Sequence, residues 1–292
     1  MKLIHIILAL LANCAWGFNF IAGKIGSNNF QPLLFTCIRF FFLLLIMLPW
    51  LRPTRGYMKP LLKVAFLMGV CHFSMMFIGL NAGANIASIA ITAQLYVPFS
   101  AILAAAFLKE QFSLIKVMAI ALAFLGILVI GFDPIVFNHL DAVLWVMGAA
   151  FVMALSTILM RQFPNMGVFR LQAWIALIAT PSLLILSVLF ESNHYQILTQ
   201  LNIIDFWSPL YSAIGASVIG HGLVYYLLAR YPVSTVTPLM LLAPLLASFF
   251  GTWWFGDQNS WKLILGGAMT LTGVLLVSLN IEQRLRRLMQ PH

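Results

Sequence analysis

The sequence predicts an all-α integral membrane protein with ten transmembrane helices, arranged as two inverted five-helix repeats. Three observations predict this fold class: only 8% of the 292 residues are charged, 62% are hydrophobic, and the apolar residues fall into ten long runs. A soluble domain of this length carries about a quarter charged residues. A single water-exposed domain is therefore excluded.

Each run approaches the ~20 residues that a helix needs to cross a bilayer. The first run could be a cleaved signal, but it continues past Cys14 to Ile25, and Asn13 is unfavourable before a cleavage site. We therefore expect a retained first helix. The connections are short, and the runs are centred near residues 14, 42, 71, 97, 123, 151, 180, 217, 245 and 271.

The charged residues between the runs predict the orientation. With the N-terminus inside, 13 of the 16 lysines and arginines lie at cytoplasmic ends. These are Lys2, Arg52, Arg55, Lys59, Lys63, Lys109, Lys116, Arg161, Arg170, Arg230, Arg284, Arg286 and Arg287. Five of the seven acids lie on the outer side: Asp133, Asp141, Glu191, Asp205 and Asp257. The positive-inside rule then places both termini in the cytoplasm, and it explains the basic excess without a nucleic-acid partner.

Self-similarity along the chain predicts the two repeats. Offsets of 146 and 147 residues relate helices 3 to 5 to helices 8 to 10, and a weaker match at 137 relates helix 1 to helix 6. The paired positions are Gly69 with Gly215, Ser88 with Ser234, Pro98 with Pro244, Glu110 with Asp257, Ser113 with Ser260 and Gly126 with Gly273. We expect the first repeat over residues 1–135 and the second over 136–292. Since each holds five helices, the second is inverted, as in alternating-access transporters.

Helices 1 and 2 carry the first candidate substrate-binding residues, because polar groups at membrane depth cost free energy unless paired or hydrated. Asn13, Trp16 and Asn19 follow at intervals of three and share a helix face. They either line a cavity or form interhelical hydrogen bonds. Arg39 lies roughly 10 Å below the outer surface at 1.5 Å per residue. It either anchors helix 2 at the interface or binds a substrate carboxylate.

Helices 3, 4 and 8 supply the remaining candidates. His221 and Tyr225 are four residues apart on one face of helix 8. A lone histidine is often structural, but either histidine could change charge near neutral pH. The full set of candidates in these helices is His72, Met76, Gln94, Tyr96, His221 and Tyr225.

Prolines predict hinges beside the binding site. Pro98 in helix 4 and Pro244 in helix 9 occupy matching positions of the two repeats, and Pro238 adds a second proline to helix 9. A proline inside a helix removes one backbone hydrogen bond and kinks the helix. Matched breaks in two repeats indicate a nearby transport site.

No pattern typical of an enzyme occurs in the sequence. Ser74 and His72 are two residues apart and face different sides of a helix, and there is no glycine-rich nucleotide loop. The three cysteines have no metal-ligand spacing. We predict no catalytic residue, no metal site and no cofactor. Because no acid lies in the middle of a span, proton coupling would have to use a histidine or an interfacial acid such as Glu110.

Four segments resemble one transporter family. They are AWGFNFIAGKIG with IRF in helix 2, PFSAILAAAFLKEQFS…GILVI, APLLASFFGTWWFGDQNS…GVLLV and HGLVYYLLARYPVSTVTPLMLLAPLLA. Together they resemble the EamA branch of the drug/metabolite transporter superfamily over nearly the whole chain. The resemblance implies the inverted-repeat fold, cytoplasmic termini, a central cavity lined mainly by helices 1, 3, 4, 6, 8 and 9, and efflux of small metabolites, often amino acids. Helix 6 departs from many members, because it reads MALSTILM without a tryptophan or asparagine.

These observations predict an inner-membrane exporter of amino acids or cysteine-related compounds in a bacterium. Its expected partners are a small-molecule substrate and membrane lipids, and its expected assembly is a monomer. One alternative is efflux of amphipathic drugs, because 13% aromatic residues and 14 methionines suit a permissive pocket. A second alternative, from another class, is a membrane scaffold or sensor that transports nothing.

Overall fold

The computed structural model describes residues 1–82, 85–108, 113–160, 166–231 and 233–279. Within these ranges every regular element is helical, and ten helices are long and apolar enough to cross a membrane. They are α1 (Leu3–Phe30), α2 (Pro32–Trp50), α3 (Met58–Asn81), α4 (Ile86–Phe107), α5 (Leu114–Gly131), α6 (Leu140–Met160), α7 (Val168–Phe190), α8 (Ile203–Leu228), α9 (Pro238–Phe255) and α10 (Trp261–Ser278). The prediction of an all-α protein with ten membrane helices is confirmed.

Some residues used above lie outside the described ranges. They are Lys109, Glu110, Arg161, Arg284, Arg286 and Arg287. The predicted orientation therefore stays a prediction. We call the side of the membrane on which α1 joins α2 the first-loop face, and the opposite side the terminus face.

Two serine caps begin α5 and α10 in the same way. The Ser113 hydroxyl accepts a hydrogen bond from the Lys116 N–H at 3.3 Å, and the Ser260 hydroxyl accepts one from the Leu263 N–H at 3.1 Å. Serine is favoured at this position because its oxygen satisfies an N–H that has no partner within the helix. The two serines are one of the pairs found by self-similarity, so both copies of this helix begin with the same cap.

α5 and α10 pack together at very short range. A Cβ atom on Gly126 would lie 2.5 Å from the Gly266 carbonyl oxygen, and one on Gly273 would lie 2.5 Å from the Ala119 oxygen. The Thr270 hydroxyl donates to the Ala123 carbonyl of α5 at 3.2 Å. The small residues at these positions therefore allow backbone-to-backbone contact, as is common between membrane helices.

α3 and α8 each contain a π-helical segment. The segments are Leu67–His72 in α3 and Ser212–Gly220 in α8, and the 146-residue offset of the repeat places residues 67–72 opposite 213–218. A π-helix bonds each N–H to the carbonyl five residues back, and it often marks a functional region. The irregular backbone therefore occupies matching positions in the two halves.

α4 and α9 are also interrupted at matching positions. α4 consists of Ile86–Ala93 and Tyr96–Leu108, while α9 passes from the 3₁₀ turn Thr237–Leu241 into the α-helix Leu242–Phe255. Residues 96 and 242 differ by 146, so the second segment starts at equivalent points. α1 and α6, by contrast, run without a break for 28 and 21 residues.

The prolines lie after these interruptions and not inside a continuous helix, which corrects the expected interior kinks. Pro98 and Pro244 are each the third residue of their α-helical segment, and Pro238 lies in the 3₁₀ turn that begins α9. Proline is tolerated in the first turn because no N–H is needed there. The breaks therefore precede Pro98 and Pro244, whose role as hinges stays a prediction.

The two halves exchange their first helices. α1 packs against α8 and α9, and α6 packs against α3 and α4, while α2 pairs with α7 and α5 pairs with α10. Each repeat therefore contributes one helix to a bundle formed mainly by the other. We call α1, α8 and α9 the first bundle, and α3, α4 and α6 the second bundle.

Candidate functional site

Trp16 joins α1 to α8 near the middle of α1. Its indole N–H donates to the Ala216 carbonyl oxygen at 3.1 Å, and its ring meets the His221 ring edge-on at 5.3 Å. The His221 Nδ1 lies 2.9 Å from the same oxygen, five residues back along the π-helical turn. A Cβ on Gly220 would collide with the Trp16 indole, so the absence of a side chain at residue 220 makes room for this ring.

Arg39 is a buried cation between α2, α3 and α8. Only 1% of its surface is exposed, and one terminal nitrogen donates to the Ser217 hydroxyl at 2.9 Å. The guanidinium carbon lies 4.4 Å from the ring centre of Phe73, 5.0 Å from that of Phe40 and 5.4 Å from that of Phe77. The other terminal nitrogen and Nε are buried and have no hydrogen-bond partner in the described segments of the chain.

A chain of hydroxyl groups extends from Arg39 towards α1. The Ser217 hydroxyl donates to the Ser212 carbonyl oxygen at 3.3 Å, and the Ser212 hydroxyl donates to Asn19 Oδ1 at 2.6 Å. The first of these bonds spans five residues, which is the spacing of the π-helical backbone. The Tyr211 hydroxyl adds a further contact, donating to the Ala15 carbonyl at 3.1 Å. The side chains of three helices thereby form one polar chain.

His72 lies on α3 and contacts α6 within the second bundle. Its Nδ1 lies 2.9 Å from the Ala149 carbonyl oxygen of α6, and 8% of the residue is exposed. Met76, one turn further along α3, is partly buried against an apolar cluster. Phe73, between the two, is the ring that lies nearest to the Arg39 guanidinium. α3 therefore contacts α6 on one side and encloses the arginine on the other.

The side chains that come together belong to α1, α2 and α8, and we call them the central cluster. They are Trp16, Asn19, Arg39, Ser212, Ser217 and His221. The cluster offers hydroxyl, amide and imidazole groups and one guanidinium, which suits a small polar or anionic solute. The groove of about 390 Å³ between α5 and α6 is lined by apolar side chains and suits such a solute poorly. Among the described residues no group of three His, Cys, Asp or Glu side chains could hold a metal ion.

Comparison with known proteins gives the family. The model of the EamA-like transporter family matches residues 3–132 and again residues 140–279. The chain belongs to the EamA-like transporter family. Each match covers five of the ten membrane helices, and an odd number of crossings turns the second copy of the EamA unit over in the membrane. Members of this family are transporters and not enzymes, so the predictions of the family and of the absence of catalysis are confirmed.

Curated relatives of this EamA-like protein are described as probable efflux pumps or as uncharacterized transporters. The chain is 27% identical over 279 residues to a probable amino-acid metabolite efflux pump of Salmonella typhimurium, with 92% of this chain and 93% of the relative aligned. It is 26% identical over 280 residues to the Escherichia coli protein of the same description, with the same shares aligned. A solved crystal structure covers 99% of this chain and is itself covered completely, with a TM-score of 0.65 and 15% identity, and it supports the fold alone.

Four of the predicted site residues lie in the central cluster: Trp16, Asn19, Arg39 and His221. His72 and Met76 lie beside the cluster on α3. Within the described part of the EamA-like chain, the other predicted residues make no side-chain hydrogen bond to the cluster. Asn13 donates to Ala9 of its own helix at 2.7 Å, and Gln94 lies at the interruption of α4. Tyr96 packs against apolar residues, and Tyr225 is 48% exposed.

Sequence reasoning missed Ser212 and Ser217, which connect Arg39 to Asn19. Small hydroxyl residues in membrane helices usually bond to their own backbone, so neither serine is conspicuous in the sequence. The self-similarity of the chain gave one usable signal, since Ser217 lies in the stretch 213–218 that the 146-residue offset pairs with Leu67–His72, and Ser212 directly precedes that stretch. The three phenylalanines around Arg39 were also missed because an aromatic residue in a membrane span is more often lipid-facing or structural.

Proposed function

We propose that this EamA-like transporter exports amino acids or related small polar metabolites across the bacterial inner membrane. Both termini are then cytoplasmic, as the distribution of lysine and arginine indicates. Two relatives described as probable amino-acid metabolite efflux pumps support the substrate class. The observation that carries the proposal is the central cluster itself, a group of polar side chains buried between two halves of an inverted repeat.

The depth of the cluster suits a transport site. Trp16 is the fourteenth of the 28 residues of α1, so it lies close to the midplane of the membrane. Polar groups at this depth cost free energy unless they are paired or hydrated, and they mark solute pathways in transporters. Inverted-repeat transporters bind their solutes at the midplane, beside helices whose regular geometry is broken. The π-helical turn of α8 at Ser212–Gly220 supplies such a break next to Trp16.

Alternating access follows from the exchange of helices between halves. When the first bundle rocks against the second, the central cluster opens to one side of the membrane and then to the other. The interruptions of α4 and α9, just before Pro98 and Pro244, are the points at which these helices bend. Helices that are already broken there have fewer backbone hydrogen bonds to lose when they bend.

The test is transport by purified protein in liposomes with a panel of labelled amino acids, with and without a pH gradient. We expect Trp16→Ala to lower the rate by about tenfold, because it removes an N–H donor and an aromatic contact from the cluster. Trp261→Ala is the matched control, since Trp261 is 68% exposed at the start of α10 and should be replaceable without loss. A flux that is the same with and without the pH gradient would exclude obligatory proton coupling.

Two outcomes would contradict the proposal. If no amino acid or related metabolite is transported, the chain is not an exporter of this class, and the scaffold or sensor alternative gains support. If a hydrophobic cation is transported and amino acids do not compete with it, the chain is an exporter of amphipathic drugs. If Trp16→Ala and Trp261→Ala lower the transport rate equally, Trp16 is not part of the transport site.

A further inference from the structure

Arg39 has fewer partners than its chemistry demands. A guanidinium carries five N–H donors in a rigid fork. In the structure one of them reaches the Ser217 hydroxyl, while Nε and one terminal nitrogen are buried and unpaired. Within the described part of the chain no Asp or Glu lies within ion-pair distance of the residue. Among the residues that the structure describes, Arg39 is therefore a buried positive charge without a counter-ion.

Anchoring at the membrane interface does not explain this geometry. A snorkelling arginine keeps its charged end in water, but Arg39 is only 1% exposed. The other two bases that lie towards the first-loop face behave as anchors. Lys24 donates to the Leu80 carbonyl at 3.1 Å, and Lys262 donates to the Phe132 carbonyl at 3.0 Å. Arg39 instead points into the protein and leaves its strongest hydrogen-bonding geometry unused.

Contacts with neutral aromatic rings also leave the N–H donors of the Arg39 guanidinium without acceptors. The rings of Phe40, Phe73 and Phe77 offset part of the cost of burying the charge through cation–π contact. Aromatic faces, however, do not satisfy N–H donors in the guanidinium plane. Buried donors without acceptors are costly, and a planar bidentate acceptor is the group that fits an arginine best. The missing partner is therefore an anion with two oxygens.

We propose that Arg39 binds the carboxylate of the transported solute, and that Ser217 holds the guanidinium ready for it. This inference rests on the proposed function and names the chemical group that the site requires. Ser217 belongs to the first bundle, and Phe73 and Phe77 belong to α3 of the second bundle. The carboxylate reaches the fork when α3 moves away from α2 and α8, so binding is tied to the rocking of the bundles.

The rest of the cluster has little to hold a cation. Asn19, Ser212 and His221 carry no negative charge, and within the described ranges no Asp or Glu side chain forms a hydrogen bond or ion pair with the cluster. The carboxylate of an amino acid therefore contributes more to recognition than its amino group. A solute that lacks the carboxylate should bind poorly even when the rest of the molecule is unchanged.

The first experiment uses wild-type protein in liposomes and one labelled amino acid that it transports. Competition is measured with the same amino acid unlabelled, with its amide and with the amine left after its carboxylate is removed. We expect the amide and the amine to compete about 10- to 100-fold less well, as for the loss of hydrogen bonds to a charged partner. If flux occurs but the amide competes as well as the acid, the Arg39 proposal is overturned while the exporter proposal stands. If no amino acid is transported, the exporter proposal fails first.

The second experiment changes the arginine. Arg39→Gln should lose the preference for acid over amide, while Arg39→Lys, which keeps the charge without the fork, should retain part of it. Arg230→Gln is the matched control, because Arg230 is exposed and donates to the Tyr226 carbonyl at 3.2 Å at the membrane surface. The ratio of acid to amide competition is the readout, since it does not depend on how much protein folds. An unchanged ratio in Arg39→Gln would assign the residue a structural role.

Discussion

Gly126→Ala is expected to destabilise the transporter strongly, although it adds a single methyl group. The new carbon would lie 2.5 Å from the Gly266 carbonyl oxygen and 2.6 Å from the Thr270 backbone nitrogen. Both are backbone atoms of α10, which cannot rotate away as the end of a side chain can. α5 and α10 must therefore separate along their length, which stretches the bond from the Thr270 hydroxyl to the Ala123 carbonyl.

The size of the effect follows from overpacking in a close-packed interior. Forcing extra volume into such a contact costs about 3 kcal/mol when the backbone has to move. For a protein of this length that corresponds to a fall in Tm of about 5 °C. The measurement is the thermal unfolding of detergent-purified protein, together with the fraction that elutes as a single species.

Gly131→Ala is the matched control for this prediction. It lies in the same helix, but a Cβ there would meet only Leu140 Cδ2, at 3.5 Å, which is an ordinary contact. The same substitution should therefore leave Tm within about 2 °C of the wild-type value. Equal behaviour of the two variants would show that α5 and α10 do not meet as closely as described.

The membrane helices were predictable because their signal is local and large. A run of ~20 apolar residues has few other stable conformations in a bilayer. The caps were predictable for the same reason, since Ser113 and Ser260 precede apolar runs at positions related by the repeat. The π-helical turns were not, because no composition distinguishes a segment such as Leu67–His72 from an α-helix. Tertiary packing decides whether a helix takes up one extra residue per turn and becomes π-helical there.

The site was predictable in part, and the limit has a physical cause. Helical periodicity shows that Trp16 and Asn19 share a face, but not which helix lies opposite them. That neighbour is α8, and its π-helical turn places Ser212 and Ala216 within reach of α1. The same rule included Tyr225, which lies in the α-helical segment His221–Leu228 four residues after His221 and is nevertheless 48% exposed. The local sequence determines which residues share a helix face, whereas the whole fold determines which helix packs against that face.

Asp257→Ala is expected to open the first-loop face of the transporter. Asp257 follows α9, and its carboxylate accepts a hydrogen bond from the Ile86 N–H at the start of α4, at 2.9 Å. The Asn85 side chain donates to the Gln258 carbonyl at 3.1 Å beside it. These contacts join the first bundle to the second on this face. On the same face the Asn81 side chain of α3 donates to Asn28 Oδ1 of α1 at 2.9 Å.

The packing of the bundles shows which way the structure is closed. α1 contacts α3 near the first-loop face, but the equivalent pair of the second repeat, α6 and α8, has no comparable contact within the described residues. Under the predicted orientation this conformer is closed towards the outside. Removal of the Asp257 carboxylate leaves a buried N–H without a partner and takes a negative charge from a helix N-terminus, both of which weaken this closed state.

Thiol labelling measures the change. Ser27, which is 1% exposed on α1 at the contact with α3, becomes the reporter as Ser27→Cys in a background with Cys14, Cys37 and Cys71 replaced by alanine. Asp257→Ala should raise the rate of labelling by a membrane-impermeant maleimide about tenfold, which corresponds to ~1.4 kcal/mol. Asp141→Ala, at an exposed acid on the same face, should leave the rate unchanged. The same rate in both variants would mean that Asp257 does not hold the face closed, whereas a selective increase would make its carboxylate part of the outer gate.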